Sequence, residues 1–201
     1  MIIGLTGSIA SGKSTVSEML KNEGYPIIDA DLVARLVVEP GTETLEQIRQ
    51  AFGSEVISVD GTMNRAKVGE IIFNDPVSRK TLNDIIHPAI RQEMLKQRYE
   101  LLEQGFKTII MDIPLLFESR LQYLVDKILV VSVTEENQLK RLVERNGFTE
   151  KEARARINSQ LPMSVKEDGA DAVIYNNGSL EETSQQLMRI LVSWQAASQK
   201  E

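Results

Sequence analysis

Apolar and polar positions fall along this chain in blocks whose period switches between that of strands and that of helices. Met1-Ile2-Ile3-Gly4-Leu5 is an unbroken apolar run closed by Thr6-Gly7, the pattern of a buried strand feeding a turn. A helix is predicted from Gly12, because Val16, Met19 and Leu20 recur at helical spacing and Gly24 follows where a left-handed C-cap suits glycine. Pro26-Ile27-Ile28-Asp29 reads as a second strand, and runs rich in Ile and Val at Lys107–Met111, Lys127–Val133 and Ala172–Tyr175 as three more. Helical stretches separate these runs, and that alternation predicts an α/β fold with a parallel sheet and crossover helices.

Helix starts are marked by Asp75-Pro76, by capping boxes at Thr149 with Glu152 and Ser179 with Glu182, and by His87-Pro88, read as a junction where proline opens a new helix. Leu180 to Trp194 is amphipathic, with Trp194 as a packing anchor. From Asp31 to Gln104 the pattern is mostly helical and far longer than one crossover, since a whole βαβ unit needs only about 30 residues. This stretch is read as a helical insertion. Arg141 to Gln160 is polar and arginine-rich, on two short helices hinged near Gly147, and is read as a mobile lid.

Composition narrows the classes. At 201 residues the chain fits one compact domain, and its apolar runs stay well short of the roughly 18 residues a membrane span needs. The first predicted strand begins at Met1 and runs straight into a glycine-rich turn, so an export signal is not expected. Without cysteine the chain has no disulfide, thiolate metal site or thiol nucleophile. A cytoplasmic location is expected. The formal net charge of −6 argues against a nucleic-acid partner, while leaving local basic sites for phosphates.

The chemistry starts at Gly7-Ser8-Ile9-Ala10-Ser11-Gly12-Lys13-Ser14, which fits Gly-x-x-x-x-Gly-Lys-Ser/Thr between a predicted strand and a predicted helix. Glycines let the backbone curl so that successive N–H groups face inward, and the helix start, with Thr15 in its first turn, adds the positive end of its dipole. Lys13 is expected to reach the β- and γ-phosphates of ATP, and Ser14 to hold Mg²⁺. A GTPase switch would carry Asn-Lys-x-Asp and Asp-x-x-Gly elements, and neither occurs. Motor and transporter ATPases need larger domains. A small kinase is favoured, which requires an acceptor pocket and a cover against water.

Two carboxylates, Asp29 and Asp31, close the second strand, where α/β sheets bind ligands. Either can cap the following helix or face the phosphates, and Asp31 is the candidate base or orienting group for an acceptor hydroxyl. Asp112 ends another strand as either a metal-holding carboxylate or a turn former before Ile113-Pro114. Arg141, Arg145, Arg154 and Arg156 either grip phosphates from the lid or line a solvated face, with Arg141 the preferred candidate. His87 on its own reads as a packing or capping residue.

Gly4-Leu5-Thr6-Gly7-Ser8-Ile9-Ala10-Ser11-Gly12-Lys13-Ser14, Asp29-Ala30-Asp31, Ile86-His87-Pro88, Pro114-Leu115-Leu116-Phe117-Glu118 and Asn176-Asn177-Gly178-Ser179, in this order and spacing, resemble the dephospho-coenzyme A kinase family as far as about Glu182. The resemblance implies transfer from ATP to the ribose 3′-hydroxyl of dephospho-coenzyme A, the last step of coenzyme A biosynthesis. It implies a P-loop three-layer fold: a nucleotide core on a five-stranded parallel sheet (about 1–30 and 105–201), a helical acceptor-binding region (about 31–104) and a lid (about 141–160). Carried over by position, Asp31 is the base, His87 and Leu115-Leu116-Phe117 border the acceptor, and Arg141 and Asn176 border ATP. The family pattern varies at the first residue of Asp112-Ile113-Pro114, which leaves both readings of Asp112 open. A monomer acting on a small molecule is expected; the rivals are a P-loop kinase for a nucleoside monophosphate or another hydroxylated metabolite, and a nucleotide-binding regulatory protein.

Overall fold

The computed structural model describes residues 1–73 and 75–197. Five strands form one parallel sheet, β1 (Ile2–Gly7), β2 (Ile27–Asp29), β3 (Ile109–Asp112), β4 (Lys127–Ser132) and β5 (Ala172–Tyr175), in the order β2-β3-β1-β4-β5. The central strand β1 is buried at every position because it pairs on both sides, Ile3 opposite Ile110 of β3 and Leu5 opposite Leu129 of β4. The α/β class and five-stranded sheet expected from the sequence are therefore found, with strand ends shifted by a residue or two.

The chain divides into two compact units, Met1–Ile28 with Leu101–Glu201, and Asp29–Glu100. In the first, Ile3, Leu5, Leu129, Val131 and Ile174 pack with Val16 and Leu20 of α1 (Lys13–Asn22) and with Leu187 and Leu191 of α9 (Leu180–Ser193). Each such side chain contributes about 1.5–3 kcal/mol by leaving water, so the sheet and these two helices form a rigid base. The core brings the C-terminal end of β1 and the start of α1 to a fixed separation. The loop between them inherits that rigidity. Beyond α1, the N–H of Gly24 (φ 84) closes on the Lys21 carbonyl, 3.0 Å. Tyr25 bonds the Ala196 carbonyl through its hydroxyl, 2.6 Å, and Trp194 packs against the same core.

Also in this unit, α6 (Glu135–Asn146), α7 (Glu150–Asn158) and α8 (Met163–Asp168) join β4 to β5. Gly147 ends α6 at φ 66, and the Thr149–Glu152 capping box starts α7. The second unit contains α2 (Ala30–Leu36), α3 (Glu43–Phe52), α4 (Arg65–Phe73) and most of α5 (Pro76–Glu103). One expectation is corrected here. Pro88 opens no new helix; it lies inside the 28-residue α5. Proline costs one backbone bond and crowds the preceding turn, and the regular helical sequence on both sides, with Leu82 and Met94 buried, carries the helix through it.

Candidate active site

Between β1 and α1 the chain folds into a cradle because of two backbone conformations. Ala10 has φ 59 and Gly12 φ 89, both left-handed. For alanine this conformation costs roughly 1–2 kcal/mol, so neighbouring contacts must hold it. A Cβ on Gly12 would overlap the side-chain amide of Asn176, and one on Gly7 would sit 2.6 Å from Ser11 Oγ and 2.7 Å from the Val131 carbonyl. Both glycines are thus required by close approach. The first-turn N–H groups of α1 follow directly, a place where anions are stabilised by backbone dipoles. Ser11 Oγ is buried with no hydrogen-bond partner among the described residues, which leaves a polar atom inside the loop for a ligand.

Asn176, just after β5, is 6% exposed and fully engaged. Its Nδ2 donates to the Ser11 carbonyl (2.8 Å), its Oδ1 accepts from Thr183 Oγ1 (2.9 Å), and its own carbonyl accepts from Arg141 Nη2 (2.7 Å). Arg141, on α6, is thereby tied to the back of the cradle. The other three arginines of α6 and α7 have partners of their own. Arg154 pairs with Glu150 and Glu135, Arg156 stacks over the Phe148 ring, and Arg145 bonds Asn146.

Asp112, the last residue of β3, is buried and pairs with Lys13 Nζ. The turn-forming reading of Asp112 does not describe this contact: the carboxylate meets the loop lysine directly. Ser14, exposed in the first turn of α1, presents a hydroxyl. A buried carboxylate and a hydroxyl are hard oxygen donors that suit Mg²⁺, an ion that completes its shell with water and substrate phosphates.

Further residues of this unit surround the loop. Of Leu115-Leu116-Phe117, only Leu115 is exposed (43%); Leu116 and Phe117 are buried, Phe117 where a Cβ on Gly169 would meet its ring at 2.5 Å. Glu118 pairs with Lys166, a lysine with no exposed surface, at 2.8 Å. Burial pushes the Glu118 carboxyl up, but the Lys166 ammonium and the Leu161 N–H outweigh it and hold the group below its usual range. Three groups near the loop carry no signal in the sequence: Gln138, Gln160 and Lys166. Glutamine and lysine ordinarily mark solvated faces, and their partners lie far away in the chain.

In the second unit, Asp29 is the cap of α2, accepting from the N–H groups of Asp31 (2.8 Å) and Leu32 (3.1 Å). Capping thus falls to Asp29, and Asp31, exposed in the first helical turn, keeps its carboxylate out of that role. His87 lies exposed on α5.

Residues 1–182 match the family model described as dephospho-CoA kinase. The chain belongs to the dephospho-CoA kinase family. A dephospho-CoA kinase from Geobacillus kaustophilus is 56% identical over 98% of both chains. Among solved structures, a Thermus thermophilus protein superposes with a TM-score of 0.83 at 30% identity, covering 98% of each chain. A dephospho-CoA kinase from Campylobacter jejuni gives 0.74 at 31%, covering 96% of each. The match to dephospho-CoA kinases spans both units, so the kinase class rests on the whole chain as well as on the loop.

Proposed function

We propose that this member of the dephospho-CoA kinase family transfers the γ-phosphoryl group of ATP to the ribose 3′-hydroxyl of dephospho-coenzyme A, releasing ADP and coenzyme A. The observation that carries the proposal is the cradle Gly7–Thr15, with Lys13 against Asp112 and Asn176 clamped to Ser11, inside a chain of this family. The loop amides and Lys13 hold the phosphates, and Arg141 and Asn176 border the nucleotide. Asp31 orients the acceptor hydroxyl and takes its proton, and its freedom from capping duty supports that role. Since the phosphoryl transition state is loose, little of the proton has left early in the transfer, so orientation is the larger part of what Asp31 supplies.

Ser14 and Asp112 would hold Mg²⁺, which neutralises charge on the phosphates. The same carboxylate keeps Lys13 aimed at the loop. His87 and the Leu115-Leu116-Phe117 segment border the acceptor, Leu115 supplying the exposed apolar contact. The division into a nucleotide core (about 1–30 and 105–201), an acceptor-binding helical region (about 31–104) and a lid (about 141–160) follows from these roles. The setting is the cytoplasm, and the active species is a monomer. Among the described residues, no helix is long and apolar enough to cross a membrane.

The test is mass spectrometry of the product formed from ATP and dephospho-coenzyme A. One added phosphoryl group on the ribose 3′-oxygen, with stoichiometric ADP, is expected. ATP turnover without that product, or transfer to a nucleoside monophosphate instead, would refute the assignment.

A further inference from the structure

The front half of the phosphate loop is held by side chains from the segment that follows β4. Gln160, Met163 and Lys166 stand at three-residue steps after α7, and they meet three successive loop residues in reverse order. Gln160 Oε1 accepts from the Ile9 N–H at 2.8 Å, Met163 Sδ lies 4.0 Å from Ser8 Oγ, and Lys166 Nζ is 3.4 Å from the Gly7 carbonyl. From α6, Gln138, only 4% exposed, donates its Nε2 to the Ile9 carbonyl at 2.8 Å. Both peptide groups flanking Ile9 are therefore fixed. In the one before it, Ser8 O accepts from Ser11 N–H at 3.1 Å while the Ile9 N–H goes to Gln160.

In the peptide after Ile9, the carbonyl goes to Gln138. A trans peptide points its C=O and N–H in opposite directions, and no cis bond is present among the described residues. Anchoring the Ile9 carbonyl on Gln138 therefore turns the Ala10 N–H away from α6. It also supplies an outside contact that holds Ala10 in its left-handed conformation. Without these two amides, the loop would exchange a partly buried, satisfied arrangement for one with unpaired polar groups, and would relax.

We propose that Gln138 and Gln160 are positioning residues for the triphosphate: they set the Ile9 peptides, so the conformation of the phosphate loop and the placement of the α6–α8 segment are one coupled equilibrium. The inference rests on the kinase reading and adds residues to it. Neither glutamine touches a reacting atom in this scheme. Each acts through the backbone of Ile9 and Ala10. A nucleotide bound to the loop then favours the placement of α6–α8 that satisfies Ile9, and a displaced segment weakens the nucleotide, as linkage requires.

The experiment compares the full-length protein with Gln160→Leu, Gln160→Met and Gln138→Leu, measuring Mg·ATP and Mg·ADP affinity by calorimetry, KM for each substrate, and thermal midpoint. Loss of one partly buried bond to the loop backbone predicts nucleotide affinity falling by about tenfold. KM for ATP should rise in step while KM for dephospho-coenzyme A stays unchanged. Gln160→Met keeps the side chain's length and carries the test if either leucine variant fails to fold. Folded variants that bind Mg·ATP within twofold of the unaltered protein, whatever their thermal midpoint, would overturn the inference. Failure of the unaltered protein to bind Mg·ATP would instead overturn the kinase reading itself.

Discussion

The phosphate loop and the helical unit Asp29–Glu100 are stabilised in opposite ways. Around the loop, side chains reach across the sequence: Gln138 and Gln160 to Ile9, Asn176 to Ser11, Lys166 to Gly7. In the helical unit the polar pairs of α3, α4 and α5, such as Arg49 with Glu46, Lys67 with Glu70 and Gln97 with Glu93, join residues three or four apart. That unit also leaves large apolar side chains exposed, Leu32 at 60% and Phe73 at 78%. Long-range bonds fix a backbone to a fraction of an ångström, as phosphate binding by amides demands. Local pairs stabilise each helix and leave its outer surface available for recognition. The difference teaches where rigidity is concentrated: at the end of β1, where charge must be held in place.

This contrast orders the effects of substitution. The largest belongs to the one residue of the helical unit to which chemistry is assigned: Asp31→Asn should lower kcat by about 10²–10⁴-fold, typical of a lost proton acceptor, with Mg·ATP affinity intact by calorimetry. Near-normal turnover would remove Asp31 from the mechanism. Lys13→Ala should cost about 10²–10³-fold in kcat, since a preorganised charge at the transferring group is lost; steady-state rates at saturating ATP measure it. Retained rates would contradict the loop's role.

Lys166→Met should destabilise the fold by about 3–5 kcal/mol, because Glu118 is left as an unpaired charge in a largely buried site, and adding Glu118→Leu should restore most of that loss. Urea unfolding of both variants decides it. Acid sharpens the same point. Glu118 titrates below its usual 4.5 in the folded chain, so its contribution is complete above that pH and is lost as pH falls through the lower, folded value. Glu118→Gln should therefore show a shallower acid limb in unfolding midpoint against pH. The smallest effect is expected in the helical unit's surface pairs. Arg49→Ala should shift stability by no more than about 1 kcal/mol.

Much of this architecture is legible in the sequence because it is locally encoded. The five strands announce themselves as apolar runs, and the capping boxes at Thr149 and Ser179 form as spaced. The cradle follows from Gly7, Gly12, Lys13 and Ser14. Asp29 and Asp31 are two carboxylates with equal claims on the cap until the backbone shows which one accepts the N–H bonds. Pro88 misleads, because its local signal for a helix start is overridden by the surrounding helix. Gln138, Gln160 and Lys166 are invisible for a different reason: their partners lie 129, 151 and 159 residues away, and no periodicity records that.

The central claim is that Gly7–Thr15 is the seat of the triphosphate. Crystals soaked with a non-hydrolysable ATP analogue and magnesium test it directly. Density for three phosphates against the loop amides, with Lys13 Nζ on their oxygens, is the predicted result. Triphosphate density elsewhere on the molecule, with the loop unliganded, would contradict it.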